Sequence, residues 1–369
     1  MARALSLAEA TIGLASPNPQ VGCVLVRDGQ VIGEGAHLYD QRDHAEIVAL
    51  KQAATLGHTT QGATAYVTLE PCSHHGRTGP CADALIAAGI SRCVVATVDP
   101  NPQVAGQGIA RLRAAGIEVE IGLLQSRART LNNAFAFSIT HGRPFVTLKS
   151  ALSVDGRLAP LPGSRIPGQP FWLTGPESRA EVQRLRHISD ALLTGIGTVL
   201  ADDPLLSDRT RLPRRHPLQR IILDSKLQIP LDSNLVRQAT DDLWIVTTPQ
   251  APGSHAKALE SRGIRITTLS QLNLKAIVNH LHEAKLLSVL VEAGPTLNAA
   301  LLRESLVDQA LLFYAPTELG TQSLPFAAAG PTSFELETRM ISVTKRTFGP
   351  DVCVSGLLHD PWASTPQLS

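Results

Sequence analysis

What most constrains this chain is a repeated alternation: short apolar runs rich in Val and Ile, separated by stretches with helical apolar spacing. In the first part, residues 21–26, 63–69, 92–98 and 118–121 read as strands, and 44–56, 81–88 and 107–115 as helices. A first helix is expected over 4–14, stopped by Ser16-Pro17-Asn18-Pro19, and Asp28-Gly29 supplies a hairpin turn into a strand at 31–33. Such elements bury their apolar faces together only as a layered α/β sheet. His141-Gly142-Arg143-Pro144 ends the pattern, and a new strand, 145–150, begins at once. Strands at 191–194, 220–223, 243–247, 264–267, 287–292 and 309–314, a hairpin around 339–358, and helices at 177–187 and from 296 form a second mixed α/β set. A chain of 369 residues exceeds what one core usually organises, so two domains are expected, 1–143 and 144–369, each folding by itself.

Composition narrows the function. A net charge of +1 and 4% aromatic residues give no broad attraction to nucleic acid or membrane, which leaves a small molecule as the expected partner. The N-terminal residues lack a basic segment followed by an apolar stretch, and no run reaches the length of a membrane span, so a cytoplasmic protein is expected. Five scattered cysteines make a disulfide framework a poor reading. Cys23, Cys93 and Cys353 lie inside apolar runs and should be buried, which leaves Cys72 and Cys81 for metal chemistry.

His44-Ala45-Glu46 opens a helix, Pro71-Cys72 follows a strand, and Cys81 starts the next helix. One His and two thiolates give a zinc ion three ligands and leave a fourth tetrahedral position for water, as a catalytic site requires. Glu46, two residues beyond His44, is placed to hang over that water as a proton shuttle rather than to bind the metal. The signature of the zinc nucleobase deaminases is H-x-E followed by P-C-x-x-C. Here eight residues, Ser-His-His-Gly-Arg-Thr-Gly-Pro, separate the cysteines, so a longer polar loop replaces the usual short one. His74 and His75 in that loop fit substrate contact or plain solvent exposure better than ligation.

These residues resemble a known family. Ser16-Pro-Asn-Pro-Gln-Val-Gly-Cys23, His44-Ala-Glu46, Thr68-Leu-Glu-Pro-Cys72 with its loop to Cys81, and Asp99-Pro-Asn-Pro102 are similar to the bifunctional riboflavin-biosynthesis deaminase/reductase family. The likeness continues through 149–157, 198–204, Asp224-Ser225, 291–296 and 349–353, and so covers almost the whole chain. It implies an N-terminal cytidine-deaminase-like α/β/α domain followed by a dihydrofolate-reductase-like α/β domain. It implies zinc-dependent deamination of 2,5-diamino-6-(5-phosphoribosylamino)pyrimidin-4-one, then NADPH reduction of the ribosyl side chain to ribityl. Asn18, His37, Arg77 and Asp99 match the family's deaminase substrate contacts, although each also fits a turn or surface role. Ala151, Thr198, Asp202, Ser225 and Gly294 would line the NADPH site, and Arg186, Leu206, Arg209 and Glu292 would hold the reductase substrate, with Arg186 and Arg209 on its phosphate.

Read without the resemblance, the second half is less definite. No G-x-G-x-x-G follows a strand; Gly195-Ile-Gly197 and Gly294-Pro295-Thr296 each fit a cofactor loop or a tight turn. The sequence also departs from the family: Pro170 stands two residues before Trp172, where a serine is usual, so a phosphate contact is lost there or moves to Ser164 or Gln169. Two rivals remain on the residues alone. One is a zinc deaminase of another nucleobase whose second domain binds a nucleotide without reducing it; the other is a non-catalytic, zinc-stabilised nucleotide-binding protein. The first calls for a basic, aromatic groove that this composition does not favour, and the second leaves Glu46 without a task. A symmetric homodimer is the expected assembly.

Overall fold

The structure, a computed structural model, describes residues 1–74, 79–164, 169 and 171–365. It forms two compact units: residues 1–143 with 213–215 and the segment from Pro361, and residues 144–212 with 216–360.

The first unit contains, in chain order, α1 (Ala2–Glu9), β1 (Gly22–Arg27), β2 (Gln30–Ala36), α2 (Ala45–Thr55), β3 (Thr64–Val67), α3 (Cys81–Ala87), β4 (Arg92–Val95), α4 (Gln107–Ala114), β5 (Glu118–Ile121), α5 (Gln125–Leu131) and α6 (Asn133–His141). Its sheet runs β2-β1-β3-β4-β5, with β1 antiparallel to both neighbours and β3, β4 and β5 parallel. Ala45, Ala49 and Ala53 line one face of α2 and pack into the core with Leu25, Val67 and Cys93. Opposite them, Gly33 and Gly35 on β2 leave no room for a side chain: a Cβ on Gly35 would stand 2.2 Å from the Ala45 carbonyl oxygen. Small residues on both sides therefore press α2 onto the sheet and fix where its first turn, with His44 and Glu46, must lie. This contact also explains why β2 outruns the expected 31–33: its glycines carry no apolar signal, yet they pack.

The first helix stops at Glu9 rather than 14, because the Thr11 hydroxyl bonds back to the Ala8 carbonyl and Gly13 takes a left-handed φ of +78°. The strand ladders end at Val67 and Val95, short of the expected 69 and 98, and the chain beyond each continues into the site. Cys23, Cys93 and Cys353 are buried.

The second unit contains β6 (Phe145–Ser153), β7 (Arg157–Pro160), α7 (Pro176–Ile188), β8 (Ala191–Gly195), α8 (Ile196–Asp202), β9 (Gln219–Leu223), α9 (Asn234–Arg237), β10 (Leu243–Thr247), α10 (Gly253–Glu260), β11 (Arg265–Thr268), α11 (Leu274–Glu283), β12 (Ser288–Val291), α12 (Pro295–Arg303), β13 (Gln309–Ala315), β14 (Ser323–Pro325), α13 (Ser333–Glu337), β15 (Ile341–Phe348) and β16 (Asp351–Leu357). The main sheet has the order β11-β10-β9-β8-β12-β6-β13-β16-β15. From β11 to β13 every pair is parallel, and β16 and β15 close it antiparallel. Helices α8, α10 and α11 add to the elements expected from sequence; Leu274, Ile277, Val278 and Leu281, all buried, carry the helical spacing of α11. Because the central strands are parallel, their carboxyl ends share one edge of the sheet, where α/β proteins generally bind ligands. Among the described residues no helix is long and apolar enough to cross a membrane.

Candidate active sites

In the first unit, the N-termini of α2 and α3 meet beyond the end of β3. His44 is the N-cap of α2 and Cys81 the first residue of α3, while Cys72 follows β3. His44 Nδ1 lies 3.3 Å from Cys81 Sγ and 3.5 Å from Cys72 Sγ, and the three donor atoms all lie within 4.8 Å of one another. The Cys81 amide donates to Cys72 Sγ at 3.3 Å. Hydrogen bonds from the Cys81 thiol, from His44 and from that amide outweigh burial and bring the Cys72 thiol down to about 4, while Cys81 is pushed up because it retains its proton beside that charge. One imidazole and two sulfurs around a common point, one of them already an anion, are the donor set and spacing that suit zinc.

Glu46 sits in the first turn of α2 with 3% of its surface exposed. Burial, and then the Cys72 thiolate, push its carboxyl up to about 7. His37 lies edge-on to His44, with ring centroids 5.3 Å apart. Its Nδ1 is 2.8 Å from the Asp43 carbonyl, which can only accept, so the proton is on Nδ1 and Nε2 accepts from Asn18 Nδ2 at 2.9 Å. This orientation turns the Asn18 carbonyl oxygen into an acceptor for a ligand. Asp99 follows β4, beside the end of β3, and burial lifts its carboxyl to about 6 despite a hydrogen bond from the Asn101 amide. Asn18, His37 and Asp99 are thus gathered around the donor triad. Arg77 and His75 lie outside the described residues, and His74 is exposed.

In the second unit the expected cofactor residues collect at the carboxyl edge of four adjacent strands. Ala151 lies near the end of β6, Thr198 and Asp202 lie on α8 directly after β8, Ser225 follows β9, and Gly294 caps α12 after β12. The start of α12, with Pro295 in its first turn, leaves backbone N–H groups of the kind that bind phosphate. Beside them Glu292 accepts from Arg186 Nε at 2.6 Å and Nη2 at 3.0 Å, and Lys149 Nζ lies 3.8 Å away. Burial alone would raise Glu292, but the charges of Arg186 and Lys149, the Arg186 hydrogen bonds and the charge of Arg209 hold it below the ordinary carboxylate value. Burial lowers the Lys149 ammonium against the pull of Glu292.

Comparison with known proteins matches each half of the chain to a known domain. Residues 1–97 match the cytidine and deoxycytidylate deaminase zinc-binding region, and residues 144–354 match the RibD C-terminal domain. The riboflavin biosynthesis protein RibD of Aquifex aeolicus is 40% identical over 96% of both chains. The Escherichia coli protein of that name is also 40% identical, over 96% of this chain and 97% of its own. The chain belongs to the RibD family. The solved structure of Acinetobacter baumannii RibD is similar at 37% identity and a TM-score of 0.80, covering 96% of this chain and 97% of that one. A diaminohydroxyphosphoribosylaminopyrimidine deaminase/5-amino-6-(5-phosphoribosylamino)uracil reductase from Thermotoga maritima, 33% identical, reaches 0.81 with 96% of each chain covered. As a RibD-family protein the chain is a bifunctional deaminase and reductase of riboflavin biosynthesis, with a zinc-binding deaminase domain of cytidine-deaminase type and a reductase domain of the NADPH-using kind.

Within this RibD-family framework the structure shows what the expected reductase residues touch. Arg186 is buried, and its third nitrogen donates to the Ser207 carbonyl at 3.0 Å, so the same guanidinium joins Glu292 to that backbone. Leu206 packs into an apolar cluster with Val199, Leu218 and Ile222, which leaves its backbone, at a φ of +52°, as the part able to meet a ligand. Arg209 is exposed, and Gln183 accepts from its backbone amide. Pro170 lies outside the described residues. Two residues were not anticipated. Lys149 had a signal, the lone charge within a central strand. Glu70 had none: it is buried and accepts from four amides, of Asp99, Gly106, Gly108 and Ile109, at 2.9–3.1 Å, so it clamps the chain that carries Asp99. A side chain on Gly108 would place its Cβ 1.9 Å from the Pro71 carbonyl oxygen, so the clamp tolerates only glycine there.

Proposed function

We propose that the first unit hydrolyses the exocyclic amine of 2,5-diamino-6-(5-phosphoribosylamino)pyrimidin-4-one, and that the second reduces the ribosyl side chain of the resulting 5-amino-6-(5-phosphoribosylamino)uracil to ribityl with NADPH. The observation that carries this reading is the convergence of His44, Cys72 and Cys81 beside a buried, proton-binding carboxyl at Glu46. Zinc held by His44, Cys72 and Cys81 supplies, when bound, the Lewis acidity that makes water a nucleophile near neutral pH. Glu46 takes one proton from the attacking water and gives it to the ring nitrogen, then passes the remaining hydroxyl proton to the amine as the C=O forms and the C–N bond breaks, releasing ammonia. Asn18 and His37 hold one side of the substrate and Asp99 another, with Arg77 on its phosphate.

In the second unit Ala151, Thr198, Asp202, Ser225 and Gly294 bind NADPH, the hydride donor. Arg209 takes the substrate phosphate, Leu206 meets the substrate through its backbone, and Lys149 and Glu292 form the polar end of the pocket, with Arg186 as support. The deaminase domain spans 1–143 and the reductase domain 144–369 in sequence. The protein is cytoplasmic and a homodimer; the exposed edge strand β15 suits pairing with a second copy. The test is to incubate the purified protein with the diaminopyrimidine phosphate, with and without NADPH, and to identify products by mass. Loss of one amino group without NADPH, followed by gain of two hydrogens with it, is expected. An unchanged substrate in a zinc-loaded sample would overturn the reading.

A further inference from the structure

We infer that Arg215, far beyond residue 143 in sequence yet part of the first unit, is a positioning residue for the deaminase site. Its backbone amide donates to the Gly13 carbonyl at 2.8 Å, and its Nη1 to the Ser16 carbonyl at 3.2 Å. Its Nε donates to Asp40 at 2.9 Å, and its guanidinium lies over the Tyr39 ring, 3.9 Å from the centroid. One residue thus grips two segments, 13–16 and 39–40. The first leads into Asn18, whose amide donates to the Ala15 carbonyl; the second follows His37. Between them lies the Asn18–His37 hydrogen bond that sets which face Asn18 presents.

The Asp40 pair contributes little, because its carboxylate is 73% exposed and water screens it. The Gly13 bond is made by the backbone and survives substitution, so the weight falls on the Nη1 bond to the Ser16 carbonyl and the stack on Tyr39, which together require a planar guanidinium; a lysine provides neither the plane nor the fork. The two segments also meet directly through the Tyr39 amide, which donates to the Leu14 carbonyl at a long 3.3 Å. Slippage there misaligns Asn18 with the substrate while leaving the metal donors, at the starts of α2 and α3 and in the loop after β3, where they are.

The inference rests on Asn18 being a substrate contact, so the test treats both residues in the full-length chain. Arg215→Ala should raise the deaminase KM about 10-fold, within the cost of a small misplacement. Its kcat should stay within about 2-fold, with zinc content and reduction of the deaminated compound unchanged. Arg215→Lys should recover little. Asn18→Ala should raise KM too, and the double variant should be no worse than Asn18→Ala alone, because residues acting through one contact are not additive. An unchanged KM in Arg215→Ala while Asn18→Ala raises it, additive effects in the double variant, or loss of zinc would each overturn the inference. An unchanged KM in Asn18→Ala would instead remove the substrate-contact reading, and the inference with it.

Discussion

Glu46, buried, and Glu292, largely shielded from solvent, are moved in opposite directions by their surroundings. Glu46 shares its pocket with a thiolate, so burial and a like charge act together and its carboxyl rises to about 7. Glu292 is surrounded by Arg186, Lys149 and Arg209, whose charges overcome the same cost of burial and keep it ionised. Burial alone therefore does not decide what a carboxylate does; the sign of its neighbours does. The first is a group that can carry a proton, the second a fixed anion that holds Arg186 and Lys149 beside it.

The sharpest way to break this contrast is to neutralise each glutamate's environment in turn. Glu46→Gln should retain zinc and fold while deamination falls at least about 100-fold, the scale of a lost general acid–base group; reduction of the deaminated compound should be untouched. Normal deamination in that variant would reduce Glu46 to a buried spectator. Arg186→Met leaves Glu292 buried with less compensating charge, and should cost about 3 kcal/mol in denaturant unfolding of the second unit, with reduction weakened and deamination spared. An unfolding midpoint like that of the parent would mean that Lys149 and Arg209 suffice to hold Glu292.

Smaller effects sharpen the comparison. Arg209→Ala should raise the reductase KM about 10-fold through loss of a charge-assisted phosphate contact, without moving the unfolding midpoint, since Arg209 is exposed. Unchanged reduction at limiting substrate would put the phosphate elsewhere. Asp99 is the mildest probe. Its carboxyl, raised to about 6, keeps a proton that the unfolded chain has lost, so this group's contribution to stability falls as pH rises from about 4 to 6 and is regained on acidification. Substrate binding should run the other way, the deaminase KM rising as pH drops below 6 and the carboxylate is lost. Asp99→Asn should abolish that acid limb; a limb that persists would belong to another group.

The deaminase centre was readable because its chemistry restricts residue types at short spacings. His44 and Glu46 share one helical turn, and Cys72 and Cys81 bracket one loop, so each half of the centre is local in sequence even though the sheet joins the two halves over 28 and 37 residues. The reductase site was far less legible from residues alone. Its most telling contact, Arg186 to Glu292, spans 106 residues and exists because β12 lies between β6 and β8, a strand order that apolar runs do not encode. The family likeness pointed to Arg186 as a phosphate grip; only the structure shows its two bonds to the Glu292 carboxylate.

By itself, then, the sequence determined the layered α/β class and offered the His44, Cys72 and Cys81 donor set, since the first follows from periodicity and the second from ligand chemistry. Tertiary structure alone decided what each charged side chain meets. It made Glu70 a clamp for the chain bearing Asp99, placed Lys149 against Glu292, and brought Arg215 and Trp362 back onto the first unit, where Trp362 donates to Asn133. Those outcomes depend on which distant segments share a surface. Ionisation and hydrogen bonding are settled by the atoms within a few ångströms, not by neighbours in sequence.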